Sequence, residues 1–252
     1  MDSIKFIKRN GVGLLLLNSP KTKNALKSED MLLIRNILRR EAKSDIYALI
    51  ISGEGNVFCS GADFSELISI IGKNRKDHDL QSNDMSKLCD SIQNFPLPTV
   101  CALNGSAYGG GVEIACACDF RISVPNIEIM VPPAKIGIHY HPVGIKRFLN
   151  ILGTSITKRL LLTAAKISVI ELRGVGFFDQ IINDGENVIE KAHRFIEQCK
   201  ELSSEAVEGM KLSINDIVMN TMDKKTIDLR IEKALKSQYL ERRLKLIKEK
   251  NS

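Results

Sequence analysis

Two short segments of the chain place small residues at the start of a helical stretch. They are residues 59–63 (CSGAD) and 109–113 (GGGVE), and each follows a stretch that reads as a buried strand. Backbone N–H groups in the first turn of a helix have no partner within the helix, and the helix dipole makes that end electropositive. Two such ends that converge could bind an anion or a developing oxyanion.

The glycines of these segments have two readings. A Cβ would keep a ligand carbonyl from approaching the backbone, so glycine favours a binding site. Gly-rich turns between a strand and a helix also occur as plain structural turns, and residues 109–111 (GGG) do not form the G-x-G-x-x-G pattern of dinucleotide-binding folds. Spacing alone therefore leaves an anion site and a structural turn as equal alternatives.

Alternating strands and helices must position these segments. The predicted strands are residues 4–9, 12–17, 46–52, 99–103 and 119–124, and the predicted helices are residues 28–43 (capped by Ser28), a helix from about Ala62, 84–94 and 112–118. Asn10-Gly11 between the first two strands is a hairpin signal. Strands that alternate with helices indicate βαβ units and a largely parallel sheet.

The remaining segments read as a loop and a helical end. Residues 72–83 (GKNRKDHDLQSN) are polar without periodicity and predict a mobile loop. From about residue 142 the pattern is helical, and residues 223–249 predict one long charged helix with an apolar stripe. The stripe consists of Ile227, Ile231, Leu235, Tyr239, Leu240 and Leu244. A stripe of this kind usually packs on a neighbouring element or on a partner subunit.

The composition favours a soluble enzyme-sized domain and excludes several classes. Of the 252 residues 44% are hydrophobic and 26% are charged, and the net charge of +6 with 5% aromatic residues and no Trp argues against a nucleic-acid-binding protein. The apolar runs are strand-sized and the polar N-terminus lacks a signal-length stretch, so we predict no membrane contact and a cytoplasmic location. Six cysteines without zinc-like spacing predict buried free thiols and no metal.

Four motifs, in chain order, resemble those of the crotonase superfamily, the enoyl-CoA hydratase/isomerase family. They are residues 16–21 with 24–26 (LLNSPK, NAL; opening strand and first CoA-binding loop), 58–64 (FCSGADF; F-x-x-G-A-D), 98–105 with 107–115 (PTVCALNG, AYGGGVEIA; P-x-I-A-x-x-x-G and G-G-G-x-E-L-A) and 118–122 (CDFRI; the next strand). Together they extend the resemblance over nearly the whole chain.

This resemblance implies an α/β fold, a crotonase-like spiral of repeated ββα units. The spiral core would span residues 1–195, and residues 196–252 would form a C-terminal helical region for trimerisation or for a lid over the site. The implied assembly is a homotrimer or a dimer of trimers. The implied partner is an acyl-CoA thioester, with coenzyme A as part of the substrate, no separate cofactor and no metal.

The resemblance also implies a site. The N–H groups of Ala62 and Gly110 would form an oxyanion hole. Glu113 lies three residues beyond Gly110. A carboxylate there often only complements the helix dipole, but in an apolar pocket beside the hole it would be desolvated and suited to proton transfer. The implied substrate-binding residues are Asn24, Ala25, Leu26, Ser60, Gly61, Asp63, Phe64, Ser65, Gly109 and Pro133.

One position departs from the best-known hydratases of the family. They carry a second glutamate in a Q-P-E-like turn before an I-G motif, and residues 131–137 (VPPAKIG) place Pro133 there. Proline has no titratable group, so hydration by two glutamates as usually drawn is excluded. Three reactions remain: isomerisation by a single base, hydration with one glutamate, and decarboxylation, in which loss of CO₂ generates the enolate directly.

Tyr140 bears on this choice. Residues 136–145 (IGIHYHPVGI) are similar to a region of methylmalonyl-CoA decarboxylases with a tyrosine at this position, although hydratase/isomerase members share the pattern. The histidine of the decarboxylase's first loop has no counterpart, because Asp63 completes the G-A-D motif. His139 and His141 could protonate an enolate or bind a carboxylate. We therefore predict a hydratase/isomerase-type enzyme, with a decarboxylase and a non-catalytic CoA-ester binding protein as alternatives.

Overall fold

The computed structural model describes residues 2–73 and 84–250. The strands are β1 (Ile4–Arg9), β2 (Val12–Leu17), β3 (Ala48–Gly53), β4 (Val57–Cys59), β5 (Thr99–Leu103), β6 (Ser106–Tyr108), β7 (Phe120–Ser123), β8 (Glu128–Met130), β9 (Ile167–Ser168) and β10 (Gln180–Ile181). The α-helices are α1 (Ser28–Glu41), α2 (Phe64–Lys73), α3 (Asp84–Gln93), α4 (Gly110–Ala117), α5 (Pro142–Leu162), α6 (Val169–Gly174), α7 (Val188–Ile196), α8 (Ser204–Met219), α9 (Lys224–Leu235) and α10 (Gln238–Lys250).

The strands form two sheets that the chain builds in step. One sheet has the order β1-β2-β3-β5-β7-β10 and the other β4-β6-β8-β9. Successive pairs, β3 with β4, β5 with β6 and β7 with β8, each add one strand to both sheets, and the added strands lie parallel to their predecessors. The chain thus advances as a spiral of strand pairs with helices between the turns, which confirms the predicted fold class.

The core explains why β3 reads as a continuous apolar run. All six of its residues are buried. Leu49 and Ile51 belong to the main core on one face of the sheet, whereas Ala48 and Ile50 pack with residues of α7 on the other face. A strand covered on both faces needs apolar residues at every position rather than at alternate ones.

The predicted hairpin is confirmed, and so is the burial of five of the six thiols. Asn10 and Gly11 have φ angles of 53° and 75°, as a two-residue turn between twisted strands requires. All six cysteines are free thiols; Cys199 is partly exposed and the other five are buried. In residues 2–73 and 84–250, none of the helices combines the length and apolar character needed to cross a membrane.

Several predicted boundaries were wrong. Ser28 is the first residue of α1 rather than its cap, which is Lys27. Helix α2 begins at Phe64 and not at Ala62, while α4 begins at Gly110, two residues earlier than predicted. Helix α2 also continues through residues 72 and 73 of the predicted loop, whose other residues, 74–83, lie outside the described residues.

The predicted single helix over residues 223–249 was wrong as well. Helix α9 ends at Leu235 and α10 begins at Gln238. The hydroxyl of Ser237, which is buried, accepts a hydrogen bond from Leu240 N–H at 3.3 Å and so provides a cap for a second helix. Ile231 and Leu235, two residues of the predicted stripe, are 54% and 65% exposed.

Candidate active site

A parallel bridge between Leu26 and Ala62 sets the direction of one backbone donor. Leu26 N–H donates to Gly61 O at 2.8 Å, and Asp63 N–H donates to Leu26 O at 2.8 Å. In a parallel bridge the residue between these two bonds turns its own N–H and C=O away from the partner. The N–H of Ala62, which is an exposed residue, therefore points away from Leu26.

The second donor lies at the start of α4. Gly110 is the first residue of this helix, so its N–H has no intrahelical acceptor. A Cβ at Gly61 would lie 2.7 Å from Gly110 N and 3.1 Å from Tyr108 O, so glycine is required for these backbones to meet. The segments 59–63 and 109–113 therefore lie together; we call them the oxyanion loops, after the role that is proposed for them below.

The three consecutive glycines each satisfy a different constraint. Gly109 has a φ of 51°, which side chains other than hydrogen rarely allow. A Cβ on Gly110 would lie 2.4 Å from the end of the Met85 side chain, and a Cβ on Gly111 would lie 2.3 Å from Cys59 O. Gly111 is therefore needed for the close approach of the two loops, whereas Gly109 is required by its backbone conformation and a side chain at Gly110 would displace Met85.

Glu113 lies one helical turn beyond Gly110 and is completely buried. Its Oε2 accepts a hydrogen bond from the hydroxyl of Tyr140 at 2.7 Å, and its Oε1 accepts one from Nη1 of Arg147 at 2.7 Å. A Cβ on Gly144 would lie 2.4 Å from the Tyr140 ring and 2.9 Å from the Glu113 carboxylate, so this glycine lets the start of α5 approach α4. Glu113 and Tyr140, both predicted site residues, are in direct contact.

Arg147 is the functional-site residue that the sequence reasoning missed. Its side chain is 2% exposed, its Nε donates to Gln93 Oε1 at 2.8 Å, and its Nη2 is hydrogen-bonded to Asp90. We call Glu113, Tyr140, Arg147, Asp90 and Gln93 the carboxylate network. The one available signal was an arginine in the apolar face of α5, three residues after Gly144, which is consistent with a buried ion pair but does not identify the partner.

The network combines three kinds of group. The guanidinium of Arg147 forms an ion pair with the carboxylate of Glu113. Burial, and then the negative charge of Glu113, raise the pKa of Tyr140 well above its usual value, so that the phenol stays protonated and donates. Burial also raises the pKa of Cys116, to about 12, and that of Cys89, so both thiols are neutral. The network therefore places one carboxyl side chain against one cation and one neutral hydroxyl donor.

Comparison with known proteins assigns the chain to a family. The family model described as enoyl-CoA hydratase/isomerase matches residues 7–245. The chain belongs to the enoyl-CoA hydratase/isomerase family. The predicted family and the predicted enzyme class are thereby confirmed.

The names of similar proteins include more than one reaction. A short-chain-enoyl-CoA hydratase of Clostridium acetobutylicum is 28% identical over 188 residues, covering 74% of this chain and 71% of that protein. The ethylmalonyl-CoA decarboxylase of Mus musculus is 28% identical over 210 residues, covering 82% of this chain and 65% of that protein. The crystal structure of an enoyl-CoA hydratase from Bacillus anthracis has a TM-score of 0.85 at 24% identity, covering 99% of this chain and 97% of that one, and supports the fold.

Asn24 and Leu26, two residues of the predicted first CoA-binding loop, have side chains that serve the fold. Asn24 is 1% exposed, and its side-chain amide donates to the carbonyls of Glu54, Val57 and Phe58 at 2.8–3.1 Å. Leu26 belongs to the main core. Because both side chains are occupied, a ligand contact at these positions would have to come from the backbone.

Other predicted substrate-binding residues lie near the surface. Phe64 is 54% exposed, Ser65 is exposed, and Ala25 and Ser60 are partly exposed. Asp63 Oδ1 accepts a hydrogen bond from Glu66 N–H at 3.0 Å, within the first turn of α2. All but Ala25 flank Gly61 and Ala62 along the chain, and Ala25 precedes Leu26, which is bridged to Ala62, so a ligand that reaches the oxyanion loops would pass them.

The remaining candidates, Pro133, His139 and His141, lie in the segment between β8 and α5. Pro133 is partly exposed and opens a 3₁₀ turn that ends at Ile136. His139 is exposed, and Nδ1 of His141 accepts a hydrogen bond from Val143 N–H at 3.4 Å at the start of α5. Among the described residues the recorded partners of Glu113 are Tyr140 and Arg147 rather than either histidine. In residues 2–73 and 84–250 no group of three or more His, Cys, Asp or Glu side chains is arranged to hold a metal ion.

Proposed function

We propose that this enzyme binds an acyl-CoA thioester and stabilises its enolate. The N–H groups of Ala62 and Gly110 would donate to the thioester oxygen, and Glu113 would transfer the proton. The observation that carries the proposal is the meeting of the two oxyanion loops one helical turn from a completely buried carboxylate. Donors that are already oriented towards the developing charge stabilise it without reorganisation during the reaction. Coenzyme A enters as part of the substrate.

Within the hydratase/isomerase class, the site is best suited to isomerisation by a single base. Glu113 forms an ion pair with Arg147 and lies one helical turn beyond Gly110. Glu113 would take a proton from C2 of a 3-enoyl-CoA while the electrons of that C–H bond move onto the thioester oxygen. The proton then returns to C4 as the double bond moves to C2–C3, which regenerates the carboxylate. Pro133 supplies no second acid or base, and hydration would require Tyr140 or another group to hold the water.

Decarboxylation is the second candidate, and the contact of Tyr140 with Glu113 favours it together with the likeness to the mouse decarboxylase. Loss of CO₂ from a 2-carboxyacyl-CoA would leave the enolate between the same N–H groups. A proton must then be added to C2. Burial, and then the nearby carboxylate, raise the pKa of Tyr140. The phenol is therefore a weak donor of that proton. Isomerisation therefore ranks first.

The C-terminal residues 196–252 are proposed to close the site or to reach a neighbouring copy in a homotrimer or a dimer of trimers. Large apolar side chains of α8 support this, since Met210, Ile214 and Ile217 are 58%, 60% and 55% exposed. Exposed apolar surface of this kind usually marks an interaction site. The free cysteines fit a reducing compartment, and we propose the cytoplasm.

Three separate incubations test the proposal. With a 3-enoyl-CoA we expect enoyl absorbance to increase; with crotonyl-CoA a decrease would indicate hydration, and with methylmalonyl-CoA release of CO₂ would indicate decarboxylation. Glu113→Gln is the matched control, because it removes the base and retains the shape of the side chain. If all three substrates were inert while CoA esters still raised the midpoint of thermal unfolding, the protein would be a CoA-ester binding protein and the proposed reaction would be wrong.

A further inference from the structure

Arg147 connects the buried carboxylate to two other elements of the fold. Its Nη1 bonds Glu113 Oε1 on α4 at 2.7 Å, and its Nε bonds Gln93 Oε1 at the end of α3 at 2.8 Å. Its Nη2 pairs with Asp90, also on α3, which is 51% exposed. The guanidinium is thus held on three sides, so the position of Glu113 Oε1 is fixed by two other helices, α3 and α5.

The two oxygens of Glu113 therefore have different surroundings. Oε1 is held by a cation whose side chain is 2% exposed, whereas Oε2 accepts only the neutral hydroxyl of Tyr140 among the recorded hydrogen bonds of the described residues. Both bonds involve an ionised group, but the bond to Oε1 joins two opposite full charges, whereas the bond to Oε2 joins a charge to a neutral hydroxyl. Oε2 is consequently the oxygen that can exchange its partner for a substrate proton.

Burial makes this cation necessary for a base at this position. An ionised carboxylate that is completely buried loses its hydration, and without an opposite charge it would take up a proton instead. Titratable groups around Glu113 come from α3 (Cys89 and Asp90), α4 (Cys116), the segment before α5 (Tyr140) and α5 (Arg147). Burial raises the pKa of the two thiols and of the phenol, so that they stay neutral, and Asp90 is an acidic side chain, so Arg147 supplies the positive charge of this group.

We infer that Arg147 is a positioning residue that keeps Glu113 ionised and fixes its carboxylate so that Oε2 faces the reacting carbon. The inference rests on the proposed function, because it assumes that Glu113 is the base. It adds a specific division of roles: Oε1 anchors the side chain, Oε2 carries the proton, and Arg147 itself does not touch the substrate.

The pH dependence of kcat/KM distinguishes this role from a merely structural one. In Arg147→Met the acid limb of the profile, where the base takes up a proton, should move to higher pH by at least about one unit. In Arg147→Lys the charge remains and the limb should stay close to that of the wild type, although the rate falls because lysine lacks the planar fork. A uniform loss of activity in Arg147→Met with an unmoved limb would overturn the inference.

Asp90→Asn gives a second variant with the opposite expected sign. It removes the half-exposed negative charge next to Arg147 and leaves the pair with Glu113 in place. The cation then acts on Glu113 alone, so the acid limb should move to lower pH, by less than in Arg147→Met. Because Asp90 is half-exposed, this variant should fold even if Arg147→Met does not, and an acid limb that moves to higher pH or stays fixed would count against the inference.

Thermal unfolding tests the ion pair without any substrate. Arg147→Met should lower the unfolding midpoint by roughly 10 °C, because Glu113 then stays buried as an unpaired charge or has to take up a proton. The same substitution in a Glu113→Gln background should cost clearly less, since no unpaired charge remains. Equal losses in both backgrounds would overturn the inference. If no CoA ester is turned over but the losses differ, the proposed reaction fails while the role of Arg147 in keeping Glu113 charged stands.

Discussion

The two halves of the candidate site are formed by different kinds of chemical group. The oxyanion loops consist of backbone N–H groups whose directions follow from a parallel bridge and from the start of α4. The carboxylate network consists of side chains from α3, α4 and α5, and its contact between Arg147 and Asp90 spans 57 residues of sequence. The residue types of the backbone half can be recognised in two short sequence motifs, whereas the partners in the side-chain half depend on how distant helices pack.

The largest effect is expected in the carboxylate half. Glu113→Gln removes the base and keeps the size of the side chain, so isomerisation should fall by roughly 10²–10⁴-fold. Decarboxylation needs no base for breaking the C–C bond and should be largely retained. Steady-state rates with a 3-enoyl-CoA and with methylmalonyl-CoA measure the difference. Undiminished isomerisation would remove Glu113 from the mechanism.

A slightly smaller effect is expected from disturbing the backbone half. In Gly61→Ala the new Cβ would lie 2.7 Å from Gly110 N, and the φ of 89° adds strain. The two loops must then separate, and losing one oriented donor should reduce the rate about 10²–10³-fold for every reaction of the enzyme.

The control for Gly61→Ala is Gly174→Ala at the end of α6. A Cβ on Gly174 meets no atom within 4 Å, so its activity should be that of the wild type. Unfolding midpoints of both variants separate a local effect from misfolding. If Gly61→Ala isomerises and decarboxylates at wild-type rates, the oxyanion loops are only structural turns.

The difference between short motifs and long-range packing also explains which features could be predicted from the sequence. The hairpin at Asn10-Gly11 and the strand β3 were predictable, because turn residues and double-sided burial leave marks on neighbouring positions. The Gly-rich turns of the oxyanion loops could be recognised in the same way, but their role was implied by the family resemblance and stays a prediction. The break between α9 and α10 was missed, because the apolar stripe continues across Ser237 and one capping residue is a weak signal against it.

Arg147 could not be assigned from the sequence for a physical reason. Its partner Glu113 is 34 residues away, and the pair exists because Gly144 lets α5 lie close to α4. An arginine on an amphipathic helix is normally solvated, and its periodicity is the same whether its head group is exposed or buried. The identity of the partner therefore required the packing of three helices.

Tyr140→Phe should have an intermediate effect. It removes the hydroxyl that donates to Glu113 Oε2 at 2.7 Å but leaves the ring packed on Phe148, whose centroid is 5.1 Å away. A hydrogen bond to a charged group is worth about 1.5–3 kcal/mol, most of which a substrate or water can replace, so we expect a loss of about tenfold. Rates with both substrate classes measure it, and a larger loss in decarboxylation than in isomerisation would make Tyr140 the proton donor for the enolate.

The smallest effect is expected from a side chain that lies within the backbone half. Cys59 Sγ donates to Asn24 O at 3.2 Å and accepts from Gly61 N–H at 3.3 Å, and burial raises the pKa of this thiol to about 12, so it stays neutral. Thiol hydrogen bonds are weak, and the position of Gly61 is already set by its bond to Leu26.

Cys59→Ala should therefore lower the free energy of unfolding by about 1 kcal/mol and change kcat by less than about threefold. Denaturant unfolding and steady-state kinetics measure the two quantities on the same preparation. A loss of activity comparable to that of Gly61→Ala would mean that a side chain holds the oxyanion loops in place. The two halves could then no longer be contrasted as one that short motifs reveal and one that depends on the packing of side chains.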